Sequence, residues 1–213
     1  MFLNPLFVAD IGYNEHQYSL PRWQDLSISR QGLFDDTFKI PPTAGWMFLP
    51  ISMYHGGGGA ATFEPLHEHM KEYDWAFAQH MGAGVGVVYR GNMLYDTEPV
   101  MLLVKKWVDF YKKYRDILRS DLIHVRRADM QSIDCYLHVN PNLARKGLVM
   151  VFNPTSVTQS MTLTLPLYYT GLSDFVVLSE LDQNPVVYTL ERDYSIDVKI
   201  QLKPVSYTWY ILS

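Results

Sequence analysis

The stretch that decides the fold is Gly45-Trp-Met-Phe-Leu-Pro-Ile-Ser-Met-Tyr-His-Gly-Gly-Gly-Gly-Ala-Ala-Thr-Phe-Glu-Pro65. Trp46 to Met53 reads as a buried strand. A polar turn with Tyr54 and His55 follows, then four glycines, then a helix opening at Glu64-Pro65. Strand, functional turn and helix make the unit of an α/β barrel or open α/β sheet, where ligands meet the carboxyl ends of strands. Four glycines let the backbone take positive φ and approach a ligand closely. They are not a phosphate loop, because no Gly-Lys-Ser/Thr follows. His55, His67 and His69 lack the His-Glu-x-x-His spacing of a zinc helix, and on a helix His67 and His69 point to different faces. No metal and no cofactor is expected.

Upstream, Leu6-Phe-Val-Ala9 is a short apolar run that ends at Asp10-Ile-Gly12 and reads as an earlier strand, spanning 3–9. Asp10 then stands at a strand's carboxyl end, where α/β folds keep reactive groups, and is a candidate catalytic carboxylate. Residues 11–44 are polar and aromatic and are broken by Pro21, Pro41 and Pro42. A short helix fits Asp25 to Leu33, with Asp25 as its N-cap. Tyr13, Glu15, His16, Tyr18, Arg22 and Trp23 suit a sugar-like ligand: aromatic rings stack on its apolar face and polar groups bond its hydroxyls. The plain alternative for each is packing or solvated surface.

Downstream, Leu66, Met70, Tyr73, Phe77 and Met81 form one apolar stripe, which predicts an amphipathic helix over 65–81. Gly82-Ala-Gly84 stops it. A third strand, Val85 to Tyr89, ends in Arg90-Gly91. Gly82-x-Gly84-x-Gly86 follows a helix and precedes a strand, the reverse of a dinucleotide fingerprint. A long helix over 98–119 carries Val100, Leu103, Val104, Trp107, Tyr111, Tyr114 and Leu118 on one face, with lysines mostly off it. After Ser120 the period changes from 3.6 to 2. Eight short strands separated by Asn-Pro, Gly, Asp and Ser turns predict an antiparallel sandwich, with Thr162, Thr164, Asp197, Lys199 and Gln201 facing water.

Two domains are expected, 1–120 and 121–213. The class is α/β plus all-β. A closed eight-stranded barrel takes roughly 200–250 residues, so the three βα strands read as an open sheet or as the last three strands of a partial (β/α) barrel. The 213 residues are 48% hydrophobic and 19% charged, enough for a sizeable core. A net charge of −4 without a basic block gives no reason to expect nucleic acid. No apolar run approaches the ~18–20 residues that span a bilayer. The opening Met1-Phe-Leu-Asn-Pro-Leu makes a poor signal peptide, so an extracellular location would need a leader upstream. The single Cys135 cannot form an internal disulfide.

A helix that closes a barrel and runs directly into an antiparallel sandwich resembles the layout of many glycoside hydrolases. Val149-Met-Val-Phe-Asn-Pro-Thr155 is similar to an early strand and turn of their C-terminal β-domains. Leu202-Lys-Pro-Val-Ser-Tyr207, followed by Tyr210-Ile-Leu, is similar to the closing strands. The nearest layout is that of the α-galactosidase-like retaining enzymes, and the resemblance extends over essentially the whole chain.

It implies hydrolysis of glycosidic bonds by two carboxylates about 5–5.5 Å apart. The nucleophile would come from a fourth barrel strand, to which no residue of this sequence corresponds. Asp10 would be the acid/base, with Glu15 or Asp25 as alternates. His55, Arg90 and Asp96 would line the sugar subsite, with Glu64 a further candidate beside His16 and Trp23. The expected partner is a carbohydrate, and the open barrel edge predicts association or self-association. The competing reading is a non-catalytic carbohydrate-binding or interaction module derived from such an enzyme.

Overall fold

The computed structural model describes residues 9–10, 20–50, 58–89 and 91–213, with side chains from Leu20 onward. The chain divides into two compact units, Met1–Tyr114 and Arg115–Ser213.

The first unit alternates strands and helices: β1 (Ala9–Asp10), α1 (Arg22–Asp36), β2 (Gly45–Phe48), α2 (Met70–Met81), β3 (Gly86–Val88) and α3 (Glu98–Leu118), the last of which contains the division. The strands form one parallel sheet in the order β1-β2-β3. Asp10 lies opposite Trp46, and Trp46 opposite Gly86. Parallel pairing needs long crossovers, which α1 and α2 supply. All three carboxyl ends therefore share one edge of the sheet. Gly86 permits the close approach of β2 and β3: a Cβ there would meet the Gly45 carbonyl oxygen at 3.2 Å.

Three local readings need correction. First, β2 ends at Phe48, well before Met53. Leu49 N–H still donates to Val88 O at 3.0 Å, but Pro50 has no N–H to continue the ladder; residues 51–53 lie outside the described ones. Second, α1 begins at Arg22. The Pro21 carbonyl accepts from the N–H groups of Gln24 and Asp25, so Pro21 is the cap and Asp25 sits in the first turn. Third, Pro65 leads into a 3₁₀ turn, Leu66–Glu68, and α2 starts only after His69.

Nor is α2 singly amphipathic. Every residue from Trp75 to His80 is buried, Gln79 and His80 included. The polar ones are satisfied across the α1–α2 contact. Trp75 Nε1–H donates to Gln79 Oε1 at 3.0 Å, and the Gln79 amide donates to Ser29 Oγ at 3.4 Å. Ser29 Oγ lies 3.5 Å from His80 Nε2, while His80 Nδ1 bonds the Ala76 carbonyl at 2.8 Å. Desolvation holds the His80 pKa down at about 4, with the Ala76 bond opposing and Arg30 adding to the depression. At neutral pH the ring is uncharged and joins the network as a donor–acceptor.

In α3, Val100, Val104, Trp107, Phe110, Tyr114, Ile117 and Leu118 are buried, the 3.6-residue period expected of one packed face. Asp74 of α2 ties the two helices together, its Oδ1 accepting from Trp107 Nε1 at 2.7 Å and Lys106 Nζ at 2.9 Å.

The second unit is an antiparallel sandwich of β4 (Asp121–Arg126), β5 (Asp134–Val139), β6 (Gly147–Asn153), β7 (Gln159–Pro166), β8 (Phe175–Glu180), β9 (Gln183–Thr189), β10 (Ser195–Leu202) and β11 (Ser206–Leu212). One sheet runs β4-β5-β6-β11-β8-β9 and the other pairs β7 with β10. Leu163, Leu165, Ile196, Val198, Ile200 and Leu202 of the small sheet pack with Cys135, Leu137, Val149, Val151 and Val176 of the large one. The alternate residues Thr162, Thr164, Asp197, Lys199 and Gln201 face water, as their period of two requires. β5 and β6 are buried on both faces, which explains the unbroken apolar run Leu148–Phe152 of β6.

Asn153 closes β6. Its amide donates to the carbonyls of Val157, Leu202 and Lys203 at 2.8–3.1 Å, and its Oδ1 accepts from Thr155 N–H and Oγ–H.

Candidate functional site

Three segments follow the carboxyl ends of the parallel strands: residues 11–21 after β1, 49–69 after β2 and 89–97 after β3. Among the described residues, hydrogen bonds join the start of α1 and the two later segments. Arg22 Nε–H donates to the Thr62 carbonyl at 2.5 Å. The Thr62 hydroxyl in turn accepts from Glu64 N–H at 3.1 Å. The Asn92 amide donates to Glu64 Oε1 at 3.3 Å. Asp96 Oδ2 accepts twice from His67, from its backbone N–H at 3.0 Å and its ring Nδ1 at 2.7 Å. Thr97 Oγ–H donates to Asp96 Oδ1 at 3.3 Å, and the hydroxyl of buried Tyr73 holds the Leu94 carbonyl from below at 3.1 Å.

These contacts frame a cleft of about 460 Å³ lined by Glu64, Pro65, Leu66, Asn92, Met93 and Asp96. Its size is that of a small-molecule site. Leu66, Pro65 and Met93 give an apolar floor, while Glu64 and Asn92 present a carboxylate and an amide. Such a mixture matches a ligand with an apolar face and a rim of hydroxyls. Asp96 acts differently, because both its oxygens are engaged by His67 and Thr97. It fixes the position of the 64–69 segment, and its bond to Nδ1 leaves His67 Nε2 as the outward nitrogen.

Burial pushes the Asp96 carboxyl up, but the hydrogen bonds and charge of His67 outweigh it, so its pKa lies below the ordinary value. A depressed folded pKa contributes stability above the unfolded value near 3.8, and that stability is lost as pH falls through the folded one. Asp96→Asn is therefore expected to lower the melting temperature at neutral pH, with the difference shrinking below pH ~4 and vanishing in stronger acid. Tryptophan fluorescence suits the measurement, since Trp23, Trp46, Trp75 and Trp107 all lie in the first unit. An equal difference at every pH would sink this account.

Of the residues expected from sequence, Glu64 and Asp96 share the cleft. Asp10 ends β1 at the same sheet edge. Trp23 is half-buried and packs edge-on against Trp75, ring centroids 5.9 Å apart, joining α1 to α2. Asp25 is buried in the first turn of α1, and desolvation pushes its carboxyl up to about 6. Glu15, His16, His55 and Arg90 lie outside the described residues. Asn92, which lines the cleft, and His67, which holds Asp96, are residues that sequence reasoning did not assign to it. The available signal was their position after β3 and β2, beside Asp96 and Glu64. Among the described residues no group of His, Cys, Asp or Glu is arranged to hold a metal ion, and no helix is long and apolar enough to cross a membrane.

No family model and no curated protein sequence matches the chain. Solved structures do. A variant of a GH36 α-galactosidase from Geobacillus stearothermophilus, in complex with raffinose, is similar over 88% of this chain and 24% of its own, with 13% identity and a TM-score of 0.57. A GH27 β-L-arabinopyranosidase from Geobacillus stearothermophilus matches 90% of this chain and 42% of its own, at 13% identity and a TM-score of 0.53. An α-amylase from Anoxybacillus matches 90% of this chain and 46% of its own, at 13% identity and a TM-score of 0.53. The fold is that of the C-terminal part of these glycoside hydrolases. The chain spans less than half the length of each.

Proposed function

We propose that the chain is the C-terminal portion of a glycoside hydrolase. Residues 1–120 would contribute the last three strands of a (β/α)-barrel catalytic domain, and residues 121–213 its β-sandwich domain. The observation that carries this reading is the joining of three adjacent parallel βα units to an antiparallel sandwich. A cleft lined by Glu64, Asn92 and Asp96 lies in the segments that follow the parallel strands. Among the described residues, β1 and β3 are the edges of the parallel sheet. Gly86 and Val88 are exposed, leaving the β3 edge where further barrel strands or a partner would pair.

In this reading Asp10 supplies the acid/base and Glu64 and Asn92 hold sugar hydroxyls, with Asp96 and His67 fixing the wall that carries Glu64. Asp25 is the alternate acid, its carboxyl already raised toward neutrality by burial. The retaining mechanism needs a second carboxylate about 5–5.5 Å away. No residue of this sequence is assigned that role, so the 213-residue chain alone is not expected to turn a glycoside over; the intact protein is this chain joined to the N-terminal barrel portion that the reading calls for.

The test is a panel of aryl α- and β-glycosides, including galactosides, arabinopyranosides and glucosides, assayed with the intact protein. Turnover of at least one is expected. Glu64→Gln should raise KM about tenfold while leaving kcat within about threefold, because it removes binding common to ground and transition states. Glycan binding by the intact protein without any turnover would replace the hydrolase by a carbohydrate-binding module.

A further inference from the structure

Far along the chain from the cleft, the second unit carries an exposed aromatic group that the reading above does not use. After β7 a 3₁₀ turn, Tyr168–Thr170, puts Tyr168 and Tyr169 on the surface, 64% and 61% exposed. Tyr194, in the turn between β9 and β10, adds a third ring at 39% exposure. Tyr168 is the centre of the group: its ring centroid lies 5.3 Å from that of Tyr169 and 5.5 Å from that of Tyr194, both edge-on.

The turns that hold the rings are fixed from behind. Thr170 is fully buried, and its hydroxyl donates to the Leu167 carbonyl at 2.6 Å. Leu167 N–H donates to the Tyr194 carbonyl at 2.9 Å, joining the two turns. Gly171 closes the first at φ +74, with Pro141 packed 3.1 Å from where a Cβ would lie. Tyr194 has φ +63, a left-handed conformation that glycine or asparagine adopts readily and a bulky ring does not. A tyrosine at that strained position contributes its ring contact with Tyr168, which neither of those residues could make.

We propose that Tyr168, Tyr169 and Tyr194 form a surface site for a neutral polysaccharide chain, separate from the cleft. Three preorganised rings, set at steep angles to one another and tipped with hydroxyls, offer apolar faces to sugar rings and hydrogen bonds to their edges. Glu191 and Asp193, with Arg192 between them, leave the Tyr194 turn with a net charge of about −1, which gives an anionic ligand no net attraction. Three side chains fall far below the roughly 20–30 residues a side of a stable protein interface. The choice of a carbohydrate as ligand class rests on the hydrolase reading above; the geometry of the rings does not.

Affinity electrophoresis of the full chain through gels cast with galactomannan, arabinogalactan or soluble starch tests the site. Retardation in at least one gel is expected. Tyr168→Ala and Tyr169→Ala should each weaken it about tenfold, and the double variant should migrate as in a sugar-free gel. Tyr194→Asn, which keeps the left-handed turn, should weaken it as well. Tyr168→Ala and Tyr169→Ala should keep the wild-type melting temperature, because those rings are largely solvent-exposed, and Tyr194→Asn should not lower it.

Glu64→Gln should leave retardation unchanged, so failure of the cleft reading and failure of this one are separable. A wild-type chain that is never retarded overturns the proposal. So does retardation that survives the double variant or disappears in Glu64→Gln. Self-association by light scattering that Tyr168→Ala abolishes would identify the rings as a protein contact and also overturn it.

Discussion

Asn153→Ala is expected to destabilise the β-sandwich by about 2–3 kcal/mol. Asn153 is fully buried at the end of β6. Three carbonyls, from Val157, Leu202 and Lys203, take hydrogen bonds from its amide, and its oxygen receives two from Thr155. Alanine takes this donor from the buried Leu202 carbonyl, whereas the Val157 and Lys203 carbonyls can still accept from Thr155 Oγ–H and Ser206 Oγ–H. The cost is thus mainly the desolvation of one stranded carbonyl, about 1–3 kcal/mol where water cannot enter, added to the modest net value of the bonds lost. Measured against a typical domain stability of about 5–15 kcal/mol, the loss is large.

Two further substitutions separate this explanation from simple loss of volume. Thr155→Ala removes only bonds at the rim and should cost about 1 kcal/mol or less. Asn153→Asp keeps the shape and the acceptor but points a carboxylate at three carbonyl oxygens. Its folded pKa would be raised, so its stability is greatest below the unfolded carboxylate value and falls as pH rises through the folded one. Urea denaturation followed by the circular dichroism of the sheet measures all three. An Asn153→Ala loss below about 1 kcal/mol would refute the hub assignment.

Asn153 also marks how far the sequence could be read. Asn153-Pro154 was legible as a turn because asparagine and proline end strands by local chemistry. Its hub role was not, because two of the carbonyls it binds lie 49 and 50 residues away. The sandwich strands were legible for a related reason: Thr162, Thr164, Asp197, Lys199 and Gln201 carry a period of two that any half-buried strand must show.

Reading α2 as one stripe failed because its other buried face is polar. Gln79 and His80 look like solvent-facing residues until Ser29, some 50 residues earlier, is placed beside them. The same limit applied at the cleft. Position after a strand was enough to pick out Glu64 and Asp96, since parallel strands deliver their exit loops to one edge. The pairing of Asp96 with His67, 29 residues apart, depends on how those loops fold over the edge, which no local pattern encodes.

Asp10→Asn is expected to lower turnover of the intact protein by about 10²- to 10⁴-fold on glycosides with poor leaving groups, the range over which a general acid acts. Asp10 is the last residue of β1 and lies opposite Trp46 in the parallel register, so its backbone stands at the edge from which the cleft segments emerge. A proton donor matters most when the departing oxygen is a strong base. On a dinitrophenyl glycoside, whose leaving group needs no proton, cleavage should fall far less and the glycosyl-enzyme should accumulate. Azide should then restore turnover and yield a glycosyl azide, because a small anion needs no general base to attack the intermediate.

Asp25→Asn serves as the control for the alternate acid. Burial holds the Asp25 carboxyl at about 6, so if it were the donor, its loss would remove both the activity on poor leaving groups and the alkaline limb of the pH profile near that value. Asp10→Asn retaining more than half of the parent turnover on an alkyl glycoside would transfer the acid role away from Asp10. The azide product would be absent in that case, because no intermediate would build up for it to trap.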